Sequence, residues 1–332
     1  MTQAKRRKSI LFFILLGALL LFLFFISVGL GSLKVTPGQL LRGLFVELDE
    51  AVATVYDLRI PRILISLLAG AALAVSGTLM QSVMKNPIAD PGIIGISSGA
   101  AFIAVIITAL LPSLFFLTPL FAFAGGIIAF LLVYGLAWNA GLNPLRVILV
   151  GVAVNAMFVG LSSAFNSYSG GNLSGVAAIV NGNISMKTWN DVNTLFWYVV
   201  VGLILALFMA QSCNLLALED KTARSLGVDV DKSRIAVSCV AVLLASISTA
   251  IVGVVSFLGL IAPHIGRLLV GSDHKRLIPF SMLLGAFILL LADTLGRTIA
   301  APYEISAGIF MAVIGGPFFI FLLRRSGKDY GN

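Results

Sequence analysis

Three groups of residues in this chain carry charge or hydrogen-bonding chemistry at short spacing. The first is Asp57-Leu58-Arg59-Ile60-Pro61-Arg62, joined late in the chain by Asp293 and Arg297. A guanidinium offers a rigid fork of donors that matches a carboxylate. Such arginines bind acids, either on a partner or within the chain. Asp57 and Asp293 are internal candidates, and the four-residue spacing of Asp293 and Arg297 suits a pair on one helix. The second group runs from Asn214 to Val228. Glu219, Asp220, Lys221 and Arg224 give it a polar face, Leu218 and Leu226 are apolar knobs, and Ala223 lies between them. Leu216–Gly227 reads as a short helix, with Gly227 suited to its C-terminal cap. The third group is a pair of proline turns, Asn86-Pro87-Ile88 and Asn143-Pro144-Leu145, each of which breaks a helix.

None of these groups is a catalytic constellation. No phosphate loop is present, since Gly327-Lys328 has no glycine-rich lead-in, and there is no H-E-x-x-H or G-x-S-x-G. His264 follows Pro263 in a short apolar stretch and reads as a packed or capping residue. Cys213 and Cys239 lack metal-ligand spacing and read as packing residues. If the chain moves a solute uphill, the energy comes from a partner.

The elements that position these groups belong in lipid. Hydrophobic residues make up 59% of the 332-residue chain and charged residues only 11%, against about a quarter charged in soluble domains. The mean hydropathy is +1.06. Long stretches, among them 9–33, 63–84, 91–145 and 147–186, carry no Lys, Arg, Asp or Glu. A bilayer core about 30 Å thick takes roughly 20 apolar residues per helix. The pattern predicts an all-α integral membrane bundle of about ten spans, at 10–31, 62–83, 93–111, 119–138, 146–166, 192–212, 234–254, 257–270, 278–296 and 305–323. The eighth is too short for an ordinary span and reads as a short or re-entrant segment shielded by neighbours. Pro112 and Pro119 bracket a break between the third and fourth. The acids within spans reduce to Asp293, which leaves a secondary transporter without the midplane charge such machines usually keep.

Placing the N-terminus inside leaves only Lys34, Arg42, Arg59, Arg62, Lys187 and Arg297 outside. The other 16 of the 22 Lys and Arg then face the cytoplasm, as the positive-inside rule requires. Both termini come out cytoplasmic, and the net charge of +8 is largely topology, with no nucleic-acid partner implied. The apolar stretch from Ile10 to Gly31 is longer than a signal-peptide core and no A-x-A-like site follows, so it reads as a retained first span. Residues 1–332 form a single membrane domain, with a cytoplasmic loop over about 213–233. The spans suggest, faintly, an inverted repeat of the second to fifth on the seventh to tenth.

Four polar islands at the span ends carry a resemblance. They are 57–62 with Gly70–Gly77 and Gln81; Asn86–Pro91 with Gly95–Ala100; Asn214–Val228; and Phe257–Arg267 with Asp273, His274, Asp293, Arg297, Glu304 and Gly315-Gly316-Pro317. In this order and spacing, from about 57 to 325, they resemble the FecCD-type permeases of ABC importers, the membrane subunits that take up ferric siderophores, haem and vitamin B12. The resemblance implies a type II ABC importer permease fold in a prokaryotic cytoplasmic membrane. It implies a second permease subunit, identical or paralogous, two ABC ATPase subunits that hold ATP and Mg²⁺, and an extracytoplasmic substrate-binding protein. The chain itself would be no enzyme and would bind no cofactor. An iron-siderophore complex is the expected cargo, with haem or cobalamin as alternatives, and a gradient-driven secondary transporter as the alternative of another class. Arg59, Arg62 and Arg297 match arginines that dock acidic residues of the binding protein. Leu218, Glu219, Asp220, Ala223, Arg224, Leu226 and Gly227 fall in the family's coupling helix, and the two proline turns match its inner gates. The Trp-x-x-Gly-Ser element frequent in the family is replaced here by Ile179-Val180-Asn181-Gly182-Asn183.

Overall fold

Lipid reverses the usual placement of large and small side chains, and the first helix shows it. The computed structural model describes residues 3–30, 38, 50–137, 144–169, 179, 181–299 and 303–326. Helix α1 (Gln3–Gly29) leaves Ile10, Leu11, Ile14 and Phe22 at least half exposed. The interior holds Ala69, Ala72, Ala74, Ser76 and Ser246 instead, all fully covered. Small residues let membrane helices approach, while large ones meet the lipid.

Twelve α-helices and no strand occur among the described residues. After α1 come α2 (Glu50–Val83), α3 (Ile96–Leu110), α4 (Thr118–Ala137), α5 (Pro144–Tyr168) and α6 (Trp189–Phe208). Two short helices follow, α7 (Ala210–Leu216) and α8 (Asp220–Ser225). The last four are α9 (Val230–Val252), α10 (Leu258–Val270), α11 (His274–Ile299) and α12 (Ala307–Ser326). Seven segments are long and apolar enough to span, and α3, α10 and α12 are shorter apolar helices. These ten fall in the order of the ten expected spans. A six-residue 3₁₀ turn at Pro112–Leu117 makes the expected break before α4.

Several boundaries differ from the sequence expectation, α1, α9 and α11 each starting earlier, and three differences bear on the site. Helix α2 begins at Glu50 and runs through Pro61, so Arg59 and Arg62 lie within it rather than ahead of it. Pro61 is the twelfth residue of this helix, where it removes one backbone hydrogen bond and crowds the carbonyl of residue 57. The third span is shorter than expected, because 84–95 turns back before α3 starts at Ile96. The sixth begins earlier, on a capping box in which Thr188 and Asp191 bond reciprocally, and breaks at Met209.

Helix α2 is the central post, packed on α6, α9, α10 and α11. Its closest approaches are glycine on glycine. A Cβ on Gly77 would collide with the Gly259 backbone of α10, and one on Gly70 with the Gly285 backbone of α11. Gly77→Leu is therefore expected to separate α2 from α10. It should lower the melting temperature of the detergent-solubilised protein by at least several degrees, on an overpacking cost of about 1–3 kcal/mol.

Two return segments break the bundle in parallel fashion. After α2 the chain folds back through 84–95, and after α9 through 253–257. The short helices that follow start on left-handed residues, Gly95 at φ 90° and Phe257 at φ 67°. The same device after the second and the seventh spans accords with the faint internal repeat.

Candidate functional site

At one end of the bundle the arginines are gathered but engaged. Arg62 of α2 directs Nη2 and Nε to Asp293 of α11, at 2.9 and 3.0 Å, and Nη1 to Glu304 at 2.9 Å. Glu304 also accepts from Ser185 Oγ at 2.7 Å. Burial opposes its charge, but the Ser185 and Arg62 contacts outweigh that and hold its carboxyl below the usual range. Arg297 donates to the carbonyls of Ser27 and Leu30 at 2.5 and 3.0 Å, which anchors α1. The expected Asp293–Arg297 pair exists only at 4.0 Å, and the principal partner of Asp293 is Arg62. Arg62 and Arg297 are buried. Arg59 is half-exposed and donates to Val28 O at 3.0 Å. Of the three arginines, Arg59 is the one with surface to offer a partner.

Residues 179 and 181–183 lie at the same end. Gly182 sits at φ 60°, and a Cβ there would strike the Val254 carbonyl. Ser306 Oγ donates to Asn181 O at 2.7 Å and Gly308 N to Gly182 O at 3.1 Å, so the segment clamps the start of α12.

The opposite end carries the second island. Helix α8 closes as a Schellman motif, with Gly227 at φ 81°, its N–H on Arg224 O and the Val228 N–H on Ala223 O. Leu218 and Leu226 are 38% and 63% exposed, with Glu219, Lys221 and Arg224 in the open beside them. Ala223 is buried against the body, and of the other expected contact residues only Asp220 is turned onto it. Asp220, the first residue of α8, accepts from Lys85 Nζ at 2.8 Å and from Arg234 Nη2 at 2.9 and 3.1 Å. The hydrogen bond from Lys85 leads in holding its carboxyl below the usual range. Behind α8, Asn214 of α7 accepts from the His274 backbone and Nδ1 at 2.9 and 2.8 Å, while Nε2 meets Ser82 Oγ at 2.7 Å. This ties α7 to both α11 and α2. Burial pushes the Cys213 thiol up to about 12, as suits a packing residue.

The first proline turn lies beside this end. Asn86 Oδ1 accepts from Ile88 N at 3.1 Å, and Ala89 N donates to Asn86 O at 3.2 Å. Of the second turn, Asn143 lies outside the described residues, and Pro144 and Leu145 open α5. Sequence reasoning missed Asp90. The return segment carries it back into the bundle, 1% exposed, where it accepts from Gly92 N and Ile93 N at 2.8 and 3.2 Å. Its Oδ2 lies against Gly259 of α10, where a Cβ would strike it. A partner glycine of Gly259, Gly77, stands six residues before the end of α2, roughly 9 Å along its axis. One carboxylate thus lies between the two return segments, below the surface. Among the described residues the buried acids are therefore three, Asp90, Asp191 and Asp293.

Arginines at one end, an exposed capped helix at the other and two return helices between them correspond to known transport proteins. The sequence matches the FecCD transport family over residues 19–325. It is 41% identical over 325 residues, 98% of each chain, to the probable heme-iron transport system permease protein IsdF of several Staphylococcus aureus strains. The fold superimposes on an inward-facing ABC transporter of metal-chelate type with a TM-score of 0.77 at 28% identity, covering 95% of this chain and 99% of that one. PsaBC of Streptococcus pneumoniae shares the fold at a TM-score of 0.59 and 15% identity, over 86% of this chain and 94% of that one. On the whole-length family match and the near-complete alignment to IsdF, the chain belongs to the FecCD transport family, as a multi-pass permease.

Proposed function

We propose that this permease works as one of two such subunits in an importer of iron chelates. The pair is driven by two ABC ATPase subunits and supplied by an extracytoplasmic binding protein. The observation that carries the reading is α8, a capped helix presenting Leu218 and Leu226 to the outside beside charged side chains. Two exposed leucines flanking a capped six-residue helix suit a groove in an ATPase. On this reading α8 and both termini lie in the prokaryotic cytoplasm and the arginine end lies outside. ATP and Mg²⁺ belong to the ATPase subunits, and this chain binds no cofactor. The turns at Asn86-Pro87-Ile88 and Asn143-Pro144-Leu145 close the path from within. Arg59 contacts the binding protein directly, while Arg62 and Arg297 hold the surface on which it lands.

The identity to IsdF favours haem as the cargo within the iron-chelate class, with ferric siderophore the family's other iron cargo. Vesicles containing the permease, its ATPase and its binding protein test this with radiolabelled haem and with a ferric siderophore. Haem accumulation that a siderophore excess does not reduce is expected. Uptake of the siderophore alone would reassign the cargo and leave the permease reading intact.

A further inference from the structure

The end of α2 contains a backbone conformation that its residue does not favour. Met84 caps the helix and Lys85 follows at φ 48°, in the left-handed region. Asn86 N bonds Gln81 O at 3.1 Å and Lys85 N bonds Ser82 O at 3.4 Å, so Lys85 occupies the position of a Schellman turn that glycine usually fills. A lysine there is less stable than glycine and persists where something else requires it. Its Nζ reaches the loop ahead of α8, bonding Leu218 O at 2.5 Å and Asp220 Oδ1 at 2.8 Å. These side chains are 34% and 41% exposed, so the pair adds little to stability. Its value lies in what it joins. On one side is α8, fixed through Asp220 to Arg234 at the start of α9. On the other, the next residue is Asn86, whose side chain and carbonyl fix the proline turn. Four residues on, Asp90 fixes the return segment through Gly92 N and Ile93 N and packs against Gly259 of α10.

We propose that Lys85 is a positioning residue that transmits movement of α8 to the Asn86-Pro87-Ile88 turn. This rests on the reading of α8 as the ATPase seat. When the ATPase subunits draw α8 across the membrane face, Lys85 pulls the turn with it. The return segment behind the turn then moves as a unit with α10. Neither glycine nor an aliphatic residue at 85 makes that link.

Lys85→Gly is the informative variant, because glycine keeps the turn and removes its strain. The permease is tested in the full complex with its ATPase and binding protein, in vesicles, measuring ATP hydrolysed per cargo delivered. The expected result is normal copurification of the ATPase, unchanged or higher thermal stability, and a rise in ATP per cargo of roughly fivefold or more, the scale of a typical coupling between sites. Lys85→Arg, which still reaches Asp220, should restore most of the wild-type ratio. A wild-type ratio in Lys85→Gly would overturn the proposal, as would failure of arginine to restore it. Loss of ATPase copurification would also overturn it, placing Lys85 in the seat itself. Failure of the seat reading shows separately, as normal ATPase binding after Leu218 and Leu226 are both made acidic.

Discussion

Replacing Arg62 with alanine is expected to destabilise the solubilised permease by about 3–5 kcal/mol, the usual cost of stranding one partner of a buried ion pair. Asp293 is 1% exposed and takes its two shortest contacts from Arg62, with Arg297 no nearer than 4.0 Å. Losing Arg62 also frees Glu304, and with it the tie to Ser185. The double variant Arg62→Met with Asp293→Leu should recover most of the loss, because an apolar pair of similar size carries no stranded charge. Thermal or denaturant unfolding of the purified protein measures both. An Arg62→Ala protein as stable as the parent would show that the pair does not hold α2 to α11. Simultaneous charge reversal at Arg59 and Arg62 would abolish uptake for two reasons, and the Arg62 part would act through folding. Arg59→Glu alone is the clean probe of docking.

The other large effect is expected at the opposite end. Making Leu218 and Leu226 both aspartate should abolish copurification of the ATPase, a loss of at least about 2 kcal/mol or roughly thirtyfold in affinity. Both side chains are exposed, so the permease itself should fold and insert normally. Ala223 is less suited to the purpose, since its buried side chain would turn any bulky replacement into a disturbance of α8 on the body. Gly227 has open space around it but φ 81°, so a substitution there acts through backbone strain. Full ATPase recovery with the double aspartate variant would remove α8 from the interface.

The helices were legible in the sequence because lipid demands long charge-free runs, and the gaps between runs mark the ends. The Schellman close of α8 was also legible, because glycine after a short polar helix is a local signal. What escaped depends on contacts between distant segments. Arg62 and Glu304 lie 242 residues apart, and nothing local links them. Asp90 sits between two prolines in Asn86–Pro91, which reads as a surface turn; its burial exists only because the chain returns towards Gly259. Phe257 adopts φ 67° where sequence would place glycine, at the point where α10 packs on Asp90 and Gly77 from distant segments. Lys85 looked like one more positive-inside charge. The strained turn and the reach to Asp220 set it apart, and both are visible only in three dimensions.

The most direct test of the account is transport by purified components in sealed vesicles. The permease is reconstituted with and without its ATPase, binding protein and cargo are supplied outside, and ATP is enclosed within. Accumulation that requires both the ATPase and hydrolysable ATP is the predicted result. Accumulation by the permease alone, driven by an ion gradient and indifferent to ATP, would contradict it.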